Sequence, residues 1–274
     1  MLPRHCCRPF NGLSLAFALC AGLAALPVQA DEILTQGNFE AGSLSGWKAV
    51  SQLNAADTIG ADRFYVGTPG SLTPAVGGIV FDTAANSPGG SFYAVTASDN
   101  PGAHALLQNF AVPAASTKLI LSFQMFVNDQ SGAGPNVDPS GLDYTTGGTF
   151  ANNQHARVDI LRAGSADLST TLADVVANLY LGVDNPGGTT PNPYGSYTFA
   201  LTSALAPGSS YRLRFAEVDN LGSINLGIDN VSLTATTPEP GALTLPMGLS
   251  IVGSLCFLRR RRDRISSHQL TPRS

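Results

Sequence analysis

Short apolar or alternating runs, set between clusters of Gly, Pro, Asn and Asp, recur through residues 31 to 240, and this pattern most constrains the chain. The runs are Glu32–Phe39, Gly46–Val50, Gly78–Phe81, Ser91–Ala97, Ala105–Val112, Lys118–Val127, Ala156–Leu161, Ser196–Leu201, Ser209–Val218 and Leu226–Ala235. Short runs bounded by turn residues read as strands. In Lys118–Val127 and Tyr211–Val218 apolar and polar residues alternate, as a strand with one buried face requires. The expectation is an all-β sandwich in one domain with a sizeable core. Ser165 to Ala177 departs from this pattern, because Leu168, Leu172, Val175 and Val176 recur at a rough helical spacing. Two glycine- and proline-rich stretches, Asn128 to Gln154 and Gly182 to Tyr194, read as long loops and as the first places to seek specificity.

Charge and cysteine usage narrow the function. Cys6, Cys7, Cys20 and Cys256 all lie outside residues 31 to 240, so that part can carry no disulfide framework or thiolate metal site. The same part holds seven Lys or Arg against eighteen Asp or Glu, a balance of −11, while the whole chain is only −4. An acidic body is the wrong partner for nucleic-acid phosphates.

Both ends carry export signals. Arg4 and Arg8 precede an apolar stretch from Leu13 to Leu26 and a small-residue exit at Val28-Gln29-Ala30, the layout of a signal peptide (1–30) cleaved after Ala30. Near the C-terminus, Pro238-Glu239-Pro240 leads into eighteen uncharged residues, Gly241 to Leu258, and then into Arg259, Arg260, Arg261 and Arg262. At roughly 1.5 Å per helical residue, that apolar segment reaches about 27 Å, enough to cross a hydrocarbon core as a single transmembrane helix. The arginines hold their side in the cytoplasm and leave the body of the chain outside. On hydropathy alone, an ordinary C-terminal transmembrane anchor is the plainer alternative.

The tripeptide, the apolar segment and the arginine cluster, in that order, resemble the PEP-CTERM sorting domain of Gram-negative bacteria that make extracellular polysaccharide. The resemblance implies a sorting signal over 236–264, a cytoplasmic tail over 265–274, and processing near Glu239 by an exosortase, a membrane-embedded cysteine transpeptidase. The chain would then be that enzyme's substrate. It would be exported through the inner membrane, held there by the C-terminal helix, and then delivered to the cell surface or an extracellular polysaccharide matrix.

Gly37-Asn38-Phe39-Glu40, Gly46-Trp47 and Gly227-Ile228-Asp229-Asn230-Val231-Ser232-Leu233 resemble the first and last strands of galactose-binding-like jelly rolls, the two-sheet fold of many carbohydrate-binding modules. The resemblance brackets the ectodomain, 31–235, and implies that its terminal strands meet. It also implies a structural calcium ion held by Glu40 and Asp229 together with backbone carbonyls, the oxygen-rich shell that calcium takes. Residue types alone allow a second reading, in which Asp229-Asn230 only sets a turn through side-chain to backbone hydrogen bonds.

The candidate ligand-binding residues are the loop aromatics Tyr144, Phe150 and Tyr194. Trp47 suits core packing better than sugar stacking. Asp129, Asp138 and Asp143 lack the spacing of an EF-hand loop. The ectodomain has only His104 and His155, no His-Glu-x-x-His and no Gly-x-Ser-x-Gly, so the expectation is a non-enzymatic protein of structural, adhesive or biofilm type. A lectin-like module is the alternative, and a glycan hydrolase with two facing carboxylates a more distant one.

Overall fold

Alternation along one strand sets the layers. In Lys118–Asp129 the odd-numbered side chains Leu119, Leu121, Phe123, Met125 and Val127 all enter the main core. The computed structural model describes residues 28–53, 63–68, 89–98, 101–129, 135–137, 141–145, 152–182 and 192–238. Among them are eleven strands and no helix: β1 (Val28–Glu32), β2 (Lys48–Leu53), β3 (Arg63–Gly67), β4 (Tyr93–Ala97), β5 (Gly102–Ala111), β6 (Lys118–Asp129), β7 (His155–Arg162), β8 (Val175–Gly182), β9 (Gly195–Ala200), β10 (Ser210–Asp219) and β11 (Ile224–Pro238).

They form two antiparallel sheets. The first runs β3-β4-β11-β6-β9, with β1 also paired to β11, and the second runs β2-β5-β10-β7-β8. The architecture is a β-sandwich. From β5 to β7 the chain crosses from one sheet to the other and back, and it does so again from β9 to β11, a winding compatible with the expected jelly roll. Between the sheets, Phe123 of β6 meets Phe215 of β10 edge-on with ring centroids 5.0 Å apart and stacks on Tyr197 of β9 at 5.1 Å. Burying each such aromatic or aliphatic side chain is worth about 1.5–3 kcal/mol.

The long strand β11 changes face part-way. Ile224, Leu226 and Ile228 point into the core, and beyond a bulge between Asp229 and Ser232 the inward set becomes Val231, Leu233 and Ala235. Two residues, Asn230 and Val231, oppose Phe123 alone. The bulge is made by Asn230 at φ 50°, a left-handed conformation that Asn adopts at low cost.

The expected strands at Ser91–Ala97, Ala105–Val112, Lys118–Val127, Ala156–Leu161, Ser196–Leu201, Ser209–Val218 and Leu226–Ala235 overlap observed ones. Other expectations need correction. Of Glu32–Phe39 only Glu32 is in a strand, because Gln36 and Phe39 take φ values of 53° and 54° and turn the chain. Ser165 to Ala177 is not a helix: it is a series of tight turns followed by β8. Val175 packs on the outer face of the second sheet and Val176 on the core, the two-sided placement of a strand, while Leu172 is 94% exposed. β3 and β8 were not anticipated. Gly78–Phe81, most of the expected signal peptide and everything from Glu239 onward, including the apolar segment and the arginine cluster, lie outside the described residues. Among the described residues no helix is long and apolar enough to cross a membrane.

Candidate functional site

The terminal segments of the sandwich meet, as expected, at a junction built by close backbone approach. Val231 donates its amide to the Gly37 carbonyl at 2.9 Å. A Cβ on Gly37 would lie 1.8 Å from the Val231 carbonyl oxygen, so only glycine permits the contact. The segment before β4 closes the third side. Glu40 Oε1 accepts hydrogen bonds from the amides of Ser91 (2.8 Å) and Phe92 (3.0 Å), and the space a Cβ of Gly90 would need is filled by that carboxylate. The space beside Gly89 is filled by the Asn230 side chain, whose amide donates to Gln124 Oε1 at 2.7 Å.

Backbone strain concentrates at the same place. Among the described residues, the non-glycine residues at positive φ are Gln36, Phe39 and Asn230, and all three belong to this junction. Such conformations cost about 1–3 kcal/mol each and persist where the surroundings over-determine them. Phe39 is held by complete burial and by ring contact with Trp47 at 5.7 Å, and Trp47 donates from its indole nitrogen to the Gln36 carbonyl. Trp47 is thus a core residue, as expected, that also fixes the turn.

The structure therefore brings the two expected metal carboxylates to the two sides of one junction. Glu40 is exposed on the turn after β1, and Asp229 is buried on β11, where its Oδ1 accepts the Asn230 amide at 2.7 Å. That last bond is the turn-setting contact of the alternative reading, so the side chain performs it whatever else it binds. Among the described residues no group of three or more His, Cys, Asp and Glu side chains is placed to hold a metal ion, so any cation here would depend on amide and carbonyl oxygens as well.

The expected ligand-binding aromatics do not gather. Phe150 lies outside the described residues. Tyr194 packs edge-on against Phe126 (4.9 Å) and Tyr93 (6.2 Å) on the outer face of the first sheet, with its hydroxyl buried. Burial, then the neighbouring Tyr93 and the charge of Asp229, push that phenol far above its usual range. Tyr194 is a packing residue of that face, because Asn192, two residues before it, is tied to β6: its amide donates to Asn128 Oδ1 and its side chain to the Val127 carbonyl. Tyr144 lies half-buried against an apolar cluster on the outer face of the second sheet, its phenol raised by burial and by Asp143.

That second face carries what sequence reasoning missed. β10 and β7 present Arg212, Arg214, Arg157 and Asp159 outward, since Leu213, Phe215, Val158 and Ile160 point into the core. The turns between β7 and β8 fold back over them. Arg214 donates to the carbonyls of Asp167 and Ser169, both at 2.8 Å, and Arg212 to the carbonyl of Ser165. Asp167 reaches across to Lys48 of β2 and to Arg212, at 2.6 Å each. Burial raises the Asp167 carboxyl, but its hydrogen bonds to Lys48 and Arg212 and their charges outweigh this and hold it below the usual range. Beside the strap lies a pocket of about 340 Å³ lined by Gly46, Trp47, Lys48, Leu107, Asn109 and Arg212. The regular alternation of Tyr211-Arg-Leu-Arg-Phe was the available signal, since it places both arginines on one face.

No protein-family profile matches the chain. No curated protein is similar to it. Distant likenesses exist among solved structures. A stig cyclase, Fisc, from Fischerella sp. TAU is 19% identical, with 77% of this chain and 100% of that one covered, at a TM-score of 0.44. The enzymatically active domain of tailspike protein 4 of bacteriophage CBA120 is 14% identical over 74% of this chain, at 0.42. The carbohydrate-binding module TmCBM61, solved with β-1,4-galactotriose, is 11% identical, with 74% and 97% covered, at 0.41. The chain spans about a fifth (21%) of the tailspike protein and nearly the full length of the other two (100% and 97%). Likeness of this degree assigns neither ligand nor activity to the chain.

Proposed function

We propose that this is an exported, non-enzymatic surface protein that attaches to extracellular polysaccharide and is delivered there by exosortase processing. The observation that carries the sorting half is the ordered C-terminus: Pro238-Glu239-Pro240, eighteen uncharged residues, then Arg259 to Arg262. The described structure supports a binding rather than a catalytic role for the body. Three of its described chemically versatile groups are committed to structure: His104 sits between Ser51 and Ser98 hydroxyls (2.9 and 3.3 Å), and Asp159 and Asp167 are each shared by two cationic side chains. A β-sandwich with a polar pocket on one sheet is a rigid surface for a sugar chain.

In this reading a calcium ion steadies the junction of the terminal segments. The donors suit a hard cation: the Glu40 and Asp229 carboxylates and the Asn230 side-chain oxygen, on a strained turn rich in carbonyls. The ion's role is structural, tying Gln36–Glu40 to β11. Chelation should then lower the melting temperature, and an identical melt with and without chelator would count against it.

The deciding experiment is intact mass of the protein recovered from the host envelope and medium, wild type beside Glu239→Gln. A wild-type mass ending near Pro240, with the variant unprocessed, is the expected result. An intact arginine-rich tail in the wild type, or unchanged processing of the variant, overturns the sorting half. The attachment half fails if the protein does not co-fractionate with host polysaccharide.

A further inference from the structure

The pocket on the second sheet has a composition at odds with the protein around it. Residues 31 to 240 carry seven basic against eighteen acidic side chains, yet this pocket is lined by two cations, Lys48 and Arg212, and by no acid. Lys48 is 63% exposed at its side chain, whereas Arg212 is nine-tenths buried, with 10% exposed. Asn109, directly opposite Arg212 in the β5–β10 register, is exposed. Leu107 and Trp47 supply apolar wall.

The protein shows which chemical group these cations accept. A single carboxylate, Asp167 on the strap, bridges them with one oxygen to each. Two cationic side chains thus share one bridging carboxylate. Asp174, the other strap acid near Arg212, is occupied by the Ser169 and Thr171 hydroxyls. Among the described residues the Nε of Arg212 has no hydrogen-bond partner. Its guanidinium thus keeps donor capacity that its bonds to Asp167 and the Ser165 carbonyl do not use up.

We propose that this pocket binds a carboxylate-bearing sugar, so that the polysaccharide recognised is an acidic one. This rests on the polysaccharide-binding reading and adds its chemical class. Lys48 and Arg212 receive the sugar carboxylate beside Asp167, Asn109 hydrogen-bonds ring hydroxyls, and Leu107 with the edge of Trp47 lies under the ring. The local cationic pair also explains how an acidic protein approaches an acidic polymer: contact is confined to the face where its own repulsion is locally reversed.

The test is binding of the full chain to polygalacturonate and, as the neutral comparison, to β-1,4-galactan, by affinity electrophoresis and calorimetry. Polygalacturonate should bind and galactan should not, with affinity falling as salt rises. Lys48→Ala and Asn109→Ala should each weaken binding about tenfold, the loss of one hydrogen bond, charge-assisted for Lys48. Both are surface truncations, and unchanged melting temperatures keep the comparison clean. Asp167→Asn, which removes the competing carboxylate, should strengthen binding. Binding of galactan that is indifferent to Lys48→Ala overturns the acidic-sugar inference and leaves polysaccharide attachment standing. Binding of neither polymer overturns both. Polygalacturonate binding unmoved by all three substitutions overturns this site.

Discussion

Arg214 and Asp159 face each other across β10 and β7, both completely buried, with Nη2–Oδ2 at 2.6 Å and Nε–Oδ2 at 3.1 Å. Arg157 adds a fork to the same carboxylate at 2.7 and 2.9 Å, and Asn178 donates to Oδ1 at 2.8 Å. Burial raises the Asp159 carboxyl and lowers the Arg214 guanidinium, but the hydrogen bond from Arg157 and the charges of both arginines bring the carboxyl below its usual range. Removing one member of a buried pair leaves the other's charge uncompensated. Asp159→Asn should therefore destabilise the fold by about 3–5 kcal/mol in urea denaturation. Arg214→Lys should also destabilise the fold although it keeps the charge, since an ammonium cannot reach Asp159 and the strap carbonyls at once. A loss below 1 kcal/mol would show that the pair is not needed to seat the strap.

His155 gives the fold a pH dependence above the range where carboxylates protonate. Burial, then the charge of Arg157, lowers its imidazole from 6.5 to about 4, against a raising contribution from the Asn136 carbonyl. The folded form therefore binds fewer protons than the unfolded form between these values. Its contribution to stability is complete above pH 6.5 and is lost as pH falls toward 4, by about 3 kcal/mol. The expected outcome is a melting temperature that declines from pH 7 to pH 4, with a shallower decline in His155→Gln. Parallel pH profiles for the two proteins would refute this assignment.

Gly37→Ala isolates the junction of the terminal segments. Its Cβ would meet backbone, the Val231 carbonyl at 1.8 Å, and not the movable end of a side chain. Either the turn lifts away or β11 shifts, so a loss of about 1–3 kcal/mol is expected, as for overpacking elsewhere. Gly208→Ala, at φ 78° and with its nearest neighbour 3.9 Å away, is a useful comparison, because its cost is conformational and not steric. If a structural ion sits at the junction, Gly37→Ala should also blunt the effect of chelator, while Gly208→Ala should leave it unchanged.

How much of this was legible in the sequence differs by element. The alternation in Lys118–Val127 and Tyr211–Phe215 declared both the strands and their inward faces. In β11 even the bulge is written in the order of residues, since the apolar positions step from 224, 226 and 228 to 231, 233 and 235. β8 was hidden because its two faces are both partly covered, which removes the alternation and leaves a spacing that imitates a helix. The junction residues Glu40 and Asp229 were found from local motifs. Lys48, Asn109 and Arg212 were not, because strand pairing brings them together from positions far apart in the chain, and nothing local marks residues that will share a pocket.

The expected cleavage after Ala30 has a structural consequence that can be tested through Glu32. β1 pairs Val28–Glu32 with Thr234–Pro238, so cleavage after Ala30 leaves only Asp31 and Glu32 in the ladder. Glu32 nevertheless has its own hold: Oε1 accepts from the amides of Leu34 (3.0 Å) and Leu233 (2.8 Å), and Oε2 from the Ser232 hydroxyl. Thr236, whose β1 partner would be lost, keeps its pairing with Lys118 of β6 and accepts the Thr117 amide at 2.8 Å. A chain beginning at Asp31 should therefore melt close to one beginning at Val28, whereas Glu32→Ala in the shorter chain should cost about 1–2 kcal/mol, within the range of hydrogen bonds to a charged group. Glu32→Gln, which retains one acceptor oxygen, should recover part of that loss. A large difference between the two chain lengths would instead mean that Val28–Ala30 is an integral part of the sheet, which counts against cleavage after Ala30.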